Sequence, residues 1–568
     1  MSGESDSDFV KSVEELLKSG RTLEAISLFH AKEHTTKVKN NSWDLVPILS
    51  KHSVTYTEDG NINAEVFQCC KELLNSIADI SNPEEALLQF IEEVEESDND
   101  IKFVMMLDPL RKILTRIPNK KLISIAWGFN AVHNYLKKYP VPESENLEGK
   151  EKLLLDNSEE TRNINKLYIN LVQFYQLLKD MFPVEDKNSE EKKIKLEFLI
   201  TLLGRPLVYL DIEIFNAIKN RARISSEILV TQVFEICRDP VALLQTKDDN
   251  TDCVYKLCDL GLASLYYQVF VEEICINETP KVYEAIYFFQ NSLHLVTILL
   301  NTNHQIVIEK GLKLAMKLLQ HIRYRKLSYL LLDSEDHKKF FKALFNIIIY
   351  NEVVSLRKSG VEVYKTYLLS FENKGFYLLV NNLISDITHS SLRGYTITLY
   401  KDLVYREFST KKHLNEMSCY VKGNKLLTLL KKFCFLDKKE ESDLIELSDE
   451  IIATLNLLRY LSIRDSSNET KIWDFFPILE ESYFQHLRKG IDLSRAHYKL
   501  KIEELCLNNS NKPNIDSDVN VIVKGKSLSK LSEEEKMQVL NSSLTVFDIL
   551  DSLLCRLKEC IEVERKVS

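Results

Sequence analysis

Glycine is what this chain most conspicuously lacks. Fourteen glycines in 568 residues fall far below the roughly 7% of an average globular protein, and there are only twelve prolines. Both residues punctuate turns and bulges, so their scarcity predicts long helices joined by short connections. Glycine-rich phosphate cradles go with them. The nearest approach, Gly525-Lys526-Ser527, has Asn520 where the first glycine of such a loop belongs. GxSxG, HExxH and GxGxxG are absent as well, which removes the usual hydrolase, zinc-protease and dinucleotide signatures.

Positive charge is also in short supply. The formal net charge is −10, whereas a nucleic-acid binder needs a concentrated basic surface to displace counterions. The short clusters Lys411-Lys412 and Lys431-Lys432 read as solvated helix faces, so no nucleic-acid partner is expected. Long apolar runs are missing: HLVTILL and FNIIIY suit a protein core and fall well short of the ~20 residues of a membrane span. The polar start MSGESDSDFVKSVEELL has no signal-peptide pattern, and the eleven cysteines form no CxxC pair. The expectation is a cytoplasmic protein with reduced thiols, no membrane partner, no cofactor and no metal.

Possible ligand sets are thin. His30 and His34 have helical i, i+4 spacing but no third ligand nearby, and Cys253, Cys258 and Cys275 lie in apolar surroundings that suit small core thiols. The acidic run Glu533-Glu534-Glu535 stands at a helix start, where it complements the helix dipole. No nucleophile with a positioned base emerges, and the protein is expected not to be an enzyme.

What fills the chain is amphipathic helix. In SNPEEALLQFIEEVEE, Asn82 can cap, Pro83 suits the first turn and Glu85 has capping-box spacing; Ser532 and Glu535 repeat that spacing before the last long apolar pattern. One stretch differs: VNVIVKGKSL, residues 519–528, alternates apolar and polar around a Lys-Gly turn and reads as a small β-hairpin. An internal repeat is also visible. IEKGLKLAMK (308–317), LRKSGVEVYK (356–365) and LRGYTITLYK (392–401) each open on an aliphatic residue followed by a charged one and reach a lysine nine places on. Their spacing is close to that of HEAT, armadillo and TPR units. The fold expected is all-α, a HEAT/armadillo-like α-solenoid, with an N-terminal helical-repeat region over 1–290 and a C-terminal HEAT-like, partner-binding region over 291–568.

SDEIIATLNLLRYLSIRDSSNE, residues 448–469, poses a question of its own. On a helical wheel Ile451, Leu455 and Leu458 form one stripe, while Leu457, Tyr460 and Leu461 point roughly the opposite way. Solenoid packing would cover both faces, leaving a polar fringe of Asn456, Arg459, Arg464 and Asp465.

That stretch through Trp473, followed by LRKGIDLSRAHYKLKIEEL (487–505) and KMQVLNSSLTVFDILDSLLCRLKECIE (536–562), resembles the C-terminal half of the glomulin family. Weaker echoes run upstream in KVKNNSWDLVPIL, PLRKILTRIPNKKLISIAW and IVIEKGLKLAMKLL. The resemblance implies a non-enzymatic HEAT-like solenoid whose C-terminal half binds the RING domain of the RING-box subunit of cullin-RING ubiquitin ligases. By covering the surface that receives the ubiquitin-conjugating enzyme, such a protein inhibits ubiquitin transfer. The family is also linked to FK506-binding immunophilins. By region and residue type, the partner-binding candidates are Asn456, Arg459, Tyr460, Arg464, Asp465, Arg495, His497 and Tyr498, since interface anchors are typically aromatic, arginine or aliphatic. The repeats alone support a different reading, a generic α-solenoid scaffold or transport adaptor.

Overall fold

The scarcity of helix breakers is realised as a stack of helices. The structure, a computed structural model, describes residues 6–567 except 57–61, 119–120, 144–150, 152–154, 156–157, 180–188, 214–220, 245–256, 323–325, 411–416, 511–521, 524–525 and 528–532. Asparagine starts several helices: Asn63 accepts from the amides of Glu65 and Val66, Asn82 from Glu84, and Asn99 from Lys102 at 2.8 Å. Each bond satisfies an orphan N–H of a first turn. Pro83 follows Asn82 at the first helical position as expected, though Glu85 makes no return bond to the cap. Ser532 lies outside the described residues.

The chain divides into two compact units, one formed by 1–322 and 334–363, the other by 323–333 and 364–568. Residue 290, at the sequence-based division, stands inside the helix Ala285–Leu300. In the first unit successive helices alternate between two layers. Ser42–Ser53, Pro83–Glu95, Lys121–Lys138, Ser189–Leu203, Asp259–Phe270 and Gln305–His321 pack one on the next. Ala64–Ile80, Asp100–Arg116, Glu159–Lys179 and Arg221–Ile236 do the same in the other layer. This is the helix-pair stacking of a HEAT-like solenoid, in which no pair buries its apolar face alone. Buried tyrosines tie it together: the Tyr168 hydroxyl donates to the Leu202 carbonyl at 2.6 Å, and that of Tyr266 to Pro240.

In the second unit the helix Ser448–Arg464 packs between Ser390–Thr410 and the long final helix Glu533–Val567, which also carries Gln485–Ser510. All three repeat copies are helical. Each also places a glycine where another segment crosses closely: a Cβ on Gly311 would stand 2.9 Å from the Leu299 side chain, and one on Gly394 2.7 Å from the Asp449 carbonyl. The expected hairpin exists as two two-residue strands, Ile522–Val523 and Lys526–Ser527, paired antiparallel; its Lys524-Gly525 turn lies outside the described residues. No described helix is long and apolar enough to cross a membrane.

Candidate functional site

The helix Ser448–Arg464 has Asp449 and Glu450 in its first turn and Arg464 in its last, charges that favour the helix dipole at both ends. Its two apolar faces are both covered by the same chain: Ile451, Leu455 and Leu458 are buried, and so are Leu457 and Leu461. What remains outward is a stripe at helical spacing, with Ile452, Asn456, Arg459 and Tyr460 half-buried and Ile463 and Arg464 exposed. Packing against Ser390–Thr410 brings two further aromatic rings to this stripe. The Tyr405 ring lies 6.0 Å from that of Tyr460, and the Phe408 ring meets Tyr460 edge-on at 6.2 Å. Tyr405 is 51% exposed. Burial raises the Tyr460 phenol above its ordinary range, and the Arg464 guanidinium beside it pulls the other way. The result is a surface patch of three aromatic rings with arginine at its edge.

Beyond Arg464 the chain turns sharply, and Asp465 makes the turn. Its carboxylate is fully buried and accepts from the amides of Glu469 and Thr470, both at 2.8 Å, and from the Thr470 hydroxyl. Its carbonyl accepts from the Trp473 indole at 2.7 Å. These bonds fasten the loop that leads into the helix Ile472–Leu479.

A second group stands on Gln485–Ser510. Arg495 points at the final helix, 2.9 Å from Asp548 and 3.4 Å from Asp551. Tyr498 is half-buried with its ring edge-on to the buried Phe547 at 5.3 Å. His497 is exposed, on a stripe with the exposed Leu493 and Leu500.

The chain matches the uncharacterised protein family YAP/Alf4/glomulin over residues 27–195 and 154–543. It belongs to the glomulin family. Human glomulin is 26% identical to it over 578 residues, covering 97% of this chain and 92% of the human protein. Mouse glomulin is 24% identical over 569 residues, with the same coverage. Among solved structures, importin β in an ammonium sulfate condition matches at a TM-score of 0.21 and 11% identity, over 93% of this chain and 58% of that one. Yeast importin-β (Kap95p) matches at 0.22 and 10%, over 98% and 68%. The chain thus spans less than two thirds of the first importin.

Set against the residues expected to bind a partner, this glomulin-family chain sorts them by exposure. Arg464 and His497 face outward; Asn456, Arg459, Tyr460 and Tyr498 are partly covered. Asp465 and Arg495 have their charges engaged within the chain, because a buried carboxylate needs donors and an arginine beside two aspartates on a packed helix finds its partners there. Tyr405 and Phe408 went unread in the sequence. Their i, i+3 spacing in YREF marks one helix face, yet only packing shows which helix that face meets.

Among the described residues no three His, Cys, Asp or Glu side chains gather closely enough to hold a metal ion. His30 ends its helix while His34 lies in the following turn, stacked on Phe9. Cys258 precedes the helix Asp259–Phe270, Cys275 sits beside the Thr231 hydroxyl, and Cys253 lies outside the described residues.

Proposed function

We propose that this protein binds the RING domain of the RING-box subunit of cullin-RING ubiquitin ligases through its C-terminal unit, masks the surface for the ubiquitin-conjugating enzyme, and so inhibits ubiquitin transfer. The observation that carries the reading is the Tyr405–Phe408–Tyr460 patch with Arg464 beside it. A RING offers its conjugating enzyme a small apolar surface rimmed by polar groups, and a competitor needs a few aromatic and arginine anchors inside a polar rim. Family membership supports the choice of partner.

The test is direct. Purified full-length protein should bind a RING-box–cullin complex and slow ubiquitin-chain synthesis in a reconstituted reaction. Tyr405→Ala and Arg464→Glu, both at exposed positions, should each weaken binding at least about tenfold, as expected for truncation or reversal of an anchor. Undiminished chain synthesis at saturating protein, with no binding, rejects the reading. Affinity capture from cytosol that returns trafficking or nuclear-import factors instead of cullins, with no effect on the ligase, would favour the scaffold or transport-adaptor reading instead.

A further inference from the structure

The first unit carries a surface that the proposed ligase contact does not use. Two grooves open on the layer formed by Ala64–Ile80, Asp100–Arg116, Glu159–Lys179 and Arg221–Ile236. One, of about 790 Å³, lies among the first three of these helices and the C-terminal end of Lys121–Lys138, which supplies Tyr135 and Lys138; the other, of about 770 Å³, lies between the last two. They share the helix Glu159–Lys179. Asn163, Lys166 and Asn170 line the first groove, Gln173, Gln176 and Leu177 the second. Steps of three, four and one, within the 3.6-residue period, keep these six residues on one face. That face runs about 21 Å from 163 to 177 at 1.5 Å per residue, the length of roughly six residues of extended chain.

The chemistry along this line is unspent. The side-chain amides of Asn163, Gln173 and Gln176 form no hydrogen bond with any described residue, and each offers a donor and an acceptor. Lys71, Lys138 and Lys166 line the first groove, and none pairs with a described carboxylate. Two carboxylates share the groove and keep their charge: Asp100 accepts from the hydroxyls of Tyr135 and Tyr139, and the exposed Asp98 from the Asn99 amide, so the three lysines outnumber the carboxylates by one. At the far end the charges are paired off, Lys179 with Glu235 and Glu227 with Arg223. Apolar contact is available from Ile101 in the first groove and from Leu177 and Ile224 in the second, each more than 40% exposed.

We propose that these two neighbouring grooves together bind an extended acidic peptide segment of a partner protein, with carboxylates on Lys71, Lys138 and Lys166, its backbone on the free amides of Glu159–Lys179, and apolar side chains against Ile101, Leu177 and Ile224. Charge complementarity selects the occupant, and an extended strand matches a line of amides better than a helix, whose backbone groups are already bonded.

The test uses fluorescence polarisation with the full-length chain and a fluorescein-labelled ten-residue peptide of alternating glutamate and leucine. Saturable binding that weakens as salt rises is expected. The Lys71→Glu/Lys138→Glu/Lys166→Glu variant should lose affinity at least tenfold, and Gln173→Ala/Gln176→Ala several-fold, both with the circular dichroism of the unsubstituted chain. A peptide of alternating lysine and leucine should not bind. Absence of saturable binding, or unchanged affinity in the charge-reversed variant, overturns the proposal. So does tight binding of a single-stranded RNA probe that the acidic peptide fails to displace. None of these outcomes bears on the ligase contact, since the groove variants leave Tyr405 and Arg464 in place.

Discussion

Replacing Glu450 by glutamine isolates the cost of one buried charge. Glu450 is 3% exposed in the first turn of Ser448–Arg464, with one carboxylate oxygen 2.9 Å from the Arg393 guanidinium. Burial nevertheless wins, raising the carboxyl from 4.5 to about 7 against the opposing pull of Arg393. The folded state therefore holds this proton more tightly than the unfolded chain. Its stabilising contribution is complete below pH 4.5, declines as pH rises from 4.5 to about 7, and is gone above that. A shift of this size corresponds to about 3 kcal/mol. Glutamine has nearly the same shape and no titration, so Glu450→Gln should gain stability relative to the parent chain as pH rises from 5 to 8. For a unit of this size the gain is roughly 6–12 °C in Tm. The attraction of Arg393 is already contained in this shift; the Arg393 side chain is 20% exposed, so water can replace part of what glutamine does not supply. The assay is thermal and urea denaturation of both chains at four pH values, read as a difference so that other titrating groups cancel. The buried His337, pushed down to about 4, and Glu197, pushed up to about 7, are common to both chains and drop out. A difference that stays flat from pH 5 to 8 refutes the reasoning, because it would mean that Glu450 titrates alike in folded and unfolded chains.

Two further outcomes follow from close contacts. Asp465→Ala removes the acceptor for the buried amide and hydroxyl of Thr470 and for the partly buried amide of Glu469 and should cost about 3 kcal/mol; since the Trp473 indole donates to the backbone carbonyl of residue 465, which this loop positions, a red shift in tryptophan emission should accompany the lower Tm. Gly261→Ala places a Cβ 1.9 Å from the Ile200 carbonyl, forcing Ser189–Leu203 and Asp259–Phe270 apart at a cost of about 3 kcal/mol or more. Gly20→Ala, in open space at φ +71°, should cost only about 1 kcal/mol, and equal Tm losses for the two glycine variants would refute the crowding argument.

Much of the fold was legible because helices are local objects. Asn82 and Pro83 announce a helix start through chemistry confined to one turn, and the three lysine-terminated repeats are helices in the structure. The apolar residues on both sides of Ser448–Arg464 correctly implied burial between neighbours. The candidate site was less legible. Asp465 and Arg495 have the composition of interface residues, yet the chain itself supplies their partners, three donors for one and two aspartates for the other. Tyr405 carries no mark in the sequence that would separate it from a core tyrosine such as Tyr400, five residues earlier and fully buried.

By itself the sequence determined the helical class, the helix start at Asn82 and Pro83 and the kinship with glomulin, because periodicity, capping chemistry and residue order all act along the chain. Only the tertiary structure decided which charges are free. Lys310, in the repeat copy IEKGLKLAMK, has the look of a solvated lysine. It is 4% exposed, with its ammonium donating to the carbonyls of Val208 and Leu210 at 2.7 Å, and burial lowers it to about 8. Lys166, on another helix, faces an open groove. No local pattern separates the two lysines, since the exposure of a side chain is set by which distant segment packs over it.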